Sequence, residues 1–271
     1  MLGKLIQYDI RSTWREFAGV YLSILLGVLI LPPLFNSFNN QFINTVAGFL
    51  VAGIVIATIV VMVITLFRIF NTNVYSREGY LTLTLPVTST QIVLSKLLVS
   101  TMWIILTGIV SVIGICVFIL NMQPVQLSEI AEGIRKIMAM LDSRGTLAIV
   151  LMILAMLVST VKEIAKLFLA CSIAHLKQIG RFRVAIGIFS YFVLSWVETL
   201  VVQAVTLIAS FIPGIEAYVA QLDAMNDMAA FQQAIGLFNG VLGIGILYAL
   251  LLTAAFSVGN IWLLNHKLDL D

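Results

Sequence analysis

Hydrophobic positions in this chain come in long unbroken runs rather than in strict alternation. Six runs stand out: Ala18–Phe35, Phe42–Phe70, Gln91–Leu120, Leu147–Leu176, Val184–Ile212 and Gly236–Leu264. Each approaches or exceeds the roughly 20 residues a helix needs to cross about 30 Å of hydrocarbon. Several are longer and are expected to tilt or to project beyond the bilayer. Pro32 and Pro33 are expected to end or kink the first run, because proline lacks the N–H that a helix interior requires. The pattern changes before that run. Over residues 1–17, Leu2, Leu5, Ile6, Ile10, Trp14 and Phe17 recur at steps of three or four, with Lys4, Arg11 and Arg15 opposite. This predicts an amphipathic helix lying in the membrane surface, with a plain extension of the first span as the alternative. Two segments between runs also show helical spacing: Leu127, Ile130, Ile134, Ile137 and Leu141 in one, Tyr218, Leu222, Met225 and Met228 in the other. Each is expected to be a short helix resting on the outer face, as a structural lid, with a substrate receptor as the alternative.

Composition narrows the class. The chain has 271 residues, 61% hydrophobic and 10% charged, against roughly 25% charged in soluble domains. A water-soluble fold is excluded, and so is a β-barrel, whose strands alternate over about 10 residues. The expected fold is an all-α polytopic membrane protein, one transmembrane domain over residues 1–271. Lys and Arg fix the expected orientation. Ten of them (Lys4, Arg11, Arg15, Arg68, Arg77, Lys96, Lys177, Arg181, Arg183 and Lys267) fall on one side, against Arg135, Lys136 and Arg144 on the other. The positive-inside rule places both termini in the cytoplasm of a multi-pass protein of the cell membrane. Asp9 and Glu16 interrupt the N-terminus, so no cleaved signal peptide is expected. Cys116 and Cys171 fall towards opposite membrane faces and are not expected to bond.

The segment between the second and third runs has its own grammar. Pro86 keeps Leu85 extended. Thr88 and Gln91 then form a capping box that opens the next helix, with Val87 and Ile92 spaced as a hydrophobic staple. Ser76 can cap a short upstream helix, which Gly79 keeps brief. Glu78-Gly79-Tyr80-Leu81-Thr82-Leu83-Thr84-Leu85-Pro86-Val87, followed by Ser95-Lys96-Leu97, resembles the cytoplasmic loop of ABC-2 type permeases, the membrane subunits of ATP-driven exporters. The basic residue that family members often place soon after the proline is here delayed to Lys96, with Ser89 and Thr90 in between.

The resemblance implies a six-span permease with an interfacial elbow helix before its first span. It implies that Ser76, Arg77, Glu78, Gly79, Tyr80, Leu83 and Pro86 form a coupling segment that docks on a separate ABC ATPase subunit, where ATP and Mg would bind. Residues 172–183 resemble the family's second inner loop, which places His175, Lys177, Arg181 and Arg183 there. The implied partners are that ATPase, a second permease subunit (identical or related) and membrane lipid, with no nucleic acid, in a bacterial cell membrane. No cofactor is expected in this chain itself.

Ionisable residues inside the runs are the remaining candidate sites. Lys162, Glu163 and Lys166 stand in the fourth run, and Glu198 stands in the fifth between Trp196 and Leu200. A charge at the bilayer centre costs about 2.5–3.5 kcal/mol, so each needs a partner or a wet surface. Lys162 and Lys166 share a helix face, and Glu163 can pair with Lys166 at i,i+3. The group faces either lipid headgroups or the protein interior. Counting 1.5 Å per residue puts Lys162 about 22 Å from Leu147, and Glu198 about 21 Å from Val184. That comparison disfavours a Lys162–Glu198 pair, and a hydroxyl is the expected partner of Glu198, a transport role being the alternative. Gly236 and Gly240 have GxxxG spacing, extended by Gly243 and Gly245, suited to helix packing within the chain or between copies.

Chemistry-bearing motifs are otherwise sparse. There is no HExxH and no GxxxxGK[ST], so the chain is expected neither to be an intramembrane metalloprotease nor to hydrolyse ATP itself. No internal repeat at a fixed period is visible. The expected function is that of a permease subunit moving a peptide, drug or lipid. The alternatives are a secondary transporter, which favours inverted repeats, and a membrane scaffold or sensor.

Overall fold

The computed structural model describes residues 2–37, 41–75, 88–122, 128, 131–133, 135–136, 142–176, 183–210 and 227–266. Among them the chain forms six long helices: α1 (Leu2–Ser37), α2 (Gln41–Tyr75), α3 (Ser89–Met122), α4 (Ser143–Ala174), α5 (Arg183–Ser210) and α6 (Asp227–His266). Each is long and apolar enough to cross a membrane. The chain is therefore a helical, multi-pass membrane protein. Leu, Ile, Val and Phe cover the outside of every helix, as they must where the solvent is hydrocarbon.

The helices group into two compact units, Met1–Lys136 with α1–α3 and Ile137–Asp269 with α4–α6. In the first unit α1 packs on both α2 and α3. Partners along α1 and α3 advance together: Asp9 meets Lys96, Phe17 meets Trp103, Tyr21 meets Thr107 and Phe35 meets Phe118. The two helices are therefore parallel. Gly114 lets them approach, since a Cβ there would sit 3.1 Å from Ile24 Cγ2. In the second unit α4 packs on α5 and α6. Asn239 Nδ2 donates to Arg144 O (3.1 Å) near one end, and Ser172 Oγ donates to Asn260 Oδ1 near the other. So α4 and α6 also run parallel.

Three expectations change. Residues 2–17 are not a separate surface helix: α1 is continuous from Leu2 to Ser37. Nothing around Phe17-Ala18-Gly19-Val20 breaks a helix, and Asp9, Thr13, Phe17 and Val20 are buried in one stripe. The buried face also differs from the apolar face read locally, because Trp14 is 48% exposed and Asp9 is 1% exposed. Pro32 and Pro33 do not end the helix, which runs on to Ser37.

Other features follow the local pattern. The capping box forms, with Gln91 N donating to Thr88 Oγ1 and Thr88 N donating to Gln91 Oε1, both at 3.4 Å. Both cysteines are free, Cys116 exposed and Cys171 buried. A Cβ on Gly236, Gly240, Gly243 or Gly245 would meet nothing within 4 Å, so this stripe is not used for packing among the described residues. In the first lid segment residues 131–133 and 135–136 are helical, and in the second the helix α6 already begins at Asp227.

Candidate functional site

Two polar clusters stand out against the apolar helices, one in each unit. The first lies between α4 and α5. Lys162, Glu163 and Lys166 fall within little more than one turn of α4, and Glu198 comes from α5. Because residues four apart share a face, both ammonium groups reach the same carboxylate. Lys166 Nζ lies 2.9 Å from Glu198 Oε2, and Lys162 donates to Glu198 Oε1. Glu163 closes the other side, at 2.8 Å from Lys166 and 3.2 Å from Lys162. Tyr191, two turns before Glu198, donates to Glu163 Oε2 at 2.9 Å, and its ring centroid lies 5.2 Å from Lys166 Nζ.

The cluster contains two cations and two anions, so it is neutral as a whole. A pair 4 Å apart attracts by about 4 kcal/mol at an effective dielectric of 20. Several such contacts offset the insertion cost of four charges, each about 2.5–3.5 kcal/mol. Burial is uneven: Lys166 is 4% exposed and Glu163 is 43% exposed. Glu163 is the edge at which the cluster opens. A carboxylate at this depth must face protein or water rather than lipid. Tyr248 of α6 lies within electrostatic range of Glu198, Lys162 and Lys166. Its hydroxyl is buried and has no partner among the described residues.

Lys162, Lys166 and Glu198 face the protein interior, with Glu163 at the exposed edge. Glu163 pairs with Lys166, and Glu198 pairs with lysines rather than with the expected hydroxyl. The depth comparison failed because it measured Lys162 and Glu198 from opposite ends of a hairpin. Counted from the α4–α5 connection, both lie about 20 Å along their helices. Sequence reasoning missed Tyr191 and Tyr248, although Tyr191 stands two helical turns from Glu198 and hence on its face.

The second cluster joins α1 to both neighbours. Asp9 pairs with Lys96 of α3, the two side chains 1% and 3% exposed. Trp103 Nε1 donates to Thr13 Oγ1 at 2.9 Å, and Thr13 Oγ1 donates to Asp9 O at 2.8 Å. Phe17 stacks on Trp103 with ring centroids 4.4 Å apart and planes 5° off parallel. On the other side, Glu16 accepts from Thr65 Oγ1 of α2 at 2.9 Å and pairs with Arg68. Further along the same three helices lies an apolar crevice of about 300 Å³, lined by residues that include Val28, Ile54, Val55, Gly114 and Ile115. The Thr58 hydroxyl on its wall is tied to Ile54 O at 2.8 Å, so it has already made its donor bond.

The clasped helices flank the segment singled out in the sequence. Arg68 stands near the end of α2, and Lys96 two turns into α3. Ser76, Arg77, Glu78, Gly79, Tyr80, Leu83 and Pro86 lie outside the described residues, as do Lys177 and Arg181. Arg183 opens α5. His175 caps α4, its Nδ1 2.8 Å from Cys171 O. No family model, no curated protein and no solved structure matches the chain.

Proposed function

We propose that this chain is the permease subunit of an ATP-binding-cassette exporter of the ABC-2 type, moving a hydrophobic or amphipathic substrate. A separate ATPase would dock on residues 76–86 at the cytoplasmic face. The observation that carries the reading is the ionic clasp described above. Both helices that flank residues 76–87 are bonded to α1, through Glu16–Arg68 and Asp9–Lys96. A displacement of that segment is transmitted to three helices together, and the apolar crevice between those helices changes shape with it. This fits a cycle of two packings biased by differential binding of ATP on the partner. It also extends the lever beyond the second and third spans to the first.

The ion cluster of α4 and α5 suits such a cycle. Lys162 and Lys166 are one turn apart, and each reaches both carboxylates. A shift of α5 along α4 by up to one turn can exchange partners without stranding a charge in a low dielectric.

The test is co-purification of the ATPase subunit. Tyr80→Ala removes an aromatic anchor, and such anchors contribute about 2 kcal/mol or more to an interface; it weakens the complex. Pro86→Gly keeps the complex but loosens the segment, so ATP hydrolysis continues while efflux falls. If no ATPase co-purifies with the unmodified chain in the presence of nucleotide, the proposal is wrong. One observation favours a second reading, a secondary transporter. Each unit by itself contains three helices with the first and third parallel, and a repeated unit is common in secondary transporters. Uptake or efflux driven by an ion gradient alone, in proteoliposomes without an ATPase, would support that reading instead.

A further inference from the structure

We infer that the first half of α1 carries a binding site for anionic phospholipid at the membrane boundary, formed by Arg15, Trp14 and Arg11. The inference does not depend on the proposed transport function. It starts from which charges of α1 are used up inside the protein. Residues 2–17 contain three cations and two acids. Both acids are neutralised by partners on other helices: Asp9, buried, by Lys96, and Glu16, part-exposed, by Arg68 and Thr65. The cations Lys4, Arg11 and Arg15 are exposed and form no ion pair among the described residues. The unpaired charges on the outward face of this segment are therefore positive, which its near-balanced composition does not reveal. Trp14 lies on the same face, 48% exposed, with the Arg15 guanidinium 5.8 Å from its ring centroid. That is within cation–π range, so it favours an outward-held arginine.

Depth selects which of these groups meet a headgroup. Exposed large aliphatic side chains of α1 begin at Leu22, and those of α2 reach Ile64 before the exposed Arg68. Glu16 pairs with Arg68, so the hydrocarbon ends near this level. Taking Ala18 as the boundary, Arg15 lies about 4.5 Å beyond it, Arg11 about 10 Å and Lys4 about 21 Å. Headgroups occupy about 5–7 Å on each side. Arg15 stands among them, with Trp14 where indole rings concentrate. Arg11 reaches them with an extended side chain. Lys4 stands more than a Debye length away and is screened. The unbroken helix makes this prediction distinct from that of a helix lying flat, in which Lys4 would bind as well as Arg15. The occupant is a lipid with net negative charge, because a zwitterionic headgroup brings its own cation to a face whose unpaired charges are all positive.

The experiment uses the full chain reconstituted in phosphatidylcholine vesicles with increasing brominated phosphatidylglycerol. The readout is quenching of the tryptophan fluorescence that Trp14→Phe removes. Brominated phosphatidylglycerol is expected to quench it at a lower mole fraction than brominated phosphatidylcholine. Arg15→Gln is expected to raise the half-quenching fraction about five-fold, the effect of one basic residue near an anionic surface. Arg15→Lys restores most of the affinity, and Lys4→Gln leaves it unchanged. Size-exclusion profiles identify any variant that does not fold, and Arg11→Gln then supplies a second variant. Equal quenching by the two lipids overturns the inference, as does an effect of Lys4→Gln as large as that of Arg15→Gln.

Discussion

The Asp9–Lys96 pair offers the sharpest test of how the first unit is held together. Both side chains are almost fully buried, 1% and 3% exposed, and they join α1 to α3 across 87 residues of sequence. Lys96→Met keeps the length of the side chain and removes its charge, leaving a carboxylate in a site built for a pair. Breaking a buried pair in this way costs about 3–5 kcal/mol. At about 2–4 °C per kcal/mol for a chain of this size class, the melting midpoint should fall by about 6–20 °C. Unfolding in detergent is usually irreversible, so variants are compared as apparent midpoints at one scan rate. Replacing both partners, Asp9→Leu with Lys96→Met, exchanges the pair for apolar packing and should return stability to within about 1 kcal/mol of the parent. Hydrogen exchange should locate the damage in the single variant, with protection lost over residues 2–17 and kept in α4 and α6. A double variant that loses the sum of the two single losses would refute the reasoning, as would a Lys96→Met shift below about 2 °C.

Further predictions address the other unit, the helix contacts and the orientation. Glu198→Gln should destabilise at the lower end of roughly 3–5 kcal/mol, because Glu198 faces two lysines. Glu163→Gln should cost about 1 kcal/mol or less, since that carboxylate is 43% exposed; thermal midpoints in the reverse order would contradict the cluster's geometry. Gly114→Ala should lower stability by about 1 kcal/mol, because its Cβ meets the stiff β-branched Ile24 and Val28. Gly240→Ala, with open space around it, should be neutral or mildly stabilising in the same assay. For orientation, cysteines placed at Asn39 and Asp223 should react with an impermeant reagent added to sealed cells, whereas one at Ser76 should not. Labelling at Ser76 would reverse the orientation expected from the distribution of Lys and Arg.

What the sequence determined by itself was the set of spans and the local starts. Six helices follow from apolar length, because hydrocarbon tolerates only segments that satisfy their own backbone. The capping box at Thr88 and Gln91 was equally legible, since its bonds reach only three residues along the chain. Which face of a helix is buried was another matter. Periodicity over residues 1–17 put Trp14 on the apolar face of a surface helix and gave Asp9 no place on it, yet the fold buries Asp9 and exposes Trp14. The deciding partner, Lys96, lies on another helix, and a one-helix pattern contains no information about it. Glu198 shows the same limit. Its depth could be counted, but only the α4–α5 hairpin sets a common origin from which Glu198 and Lys162 lie level. Tertiary structure chose the partners because a charge removed from water must find its opposite wherever packing brings one, and packing joins positions that are 36 or 87 residues apart in the chain.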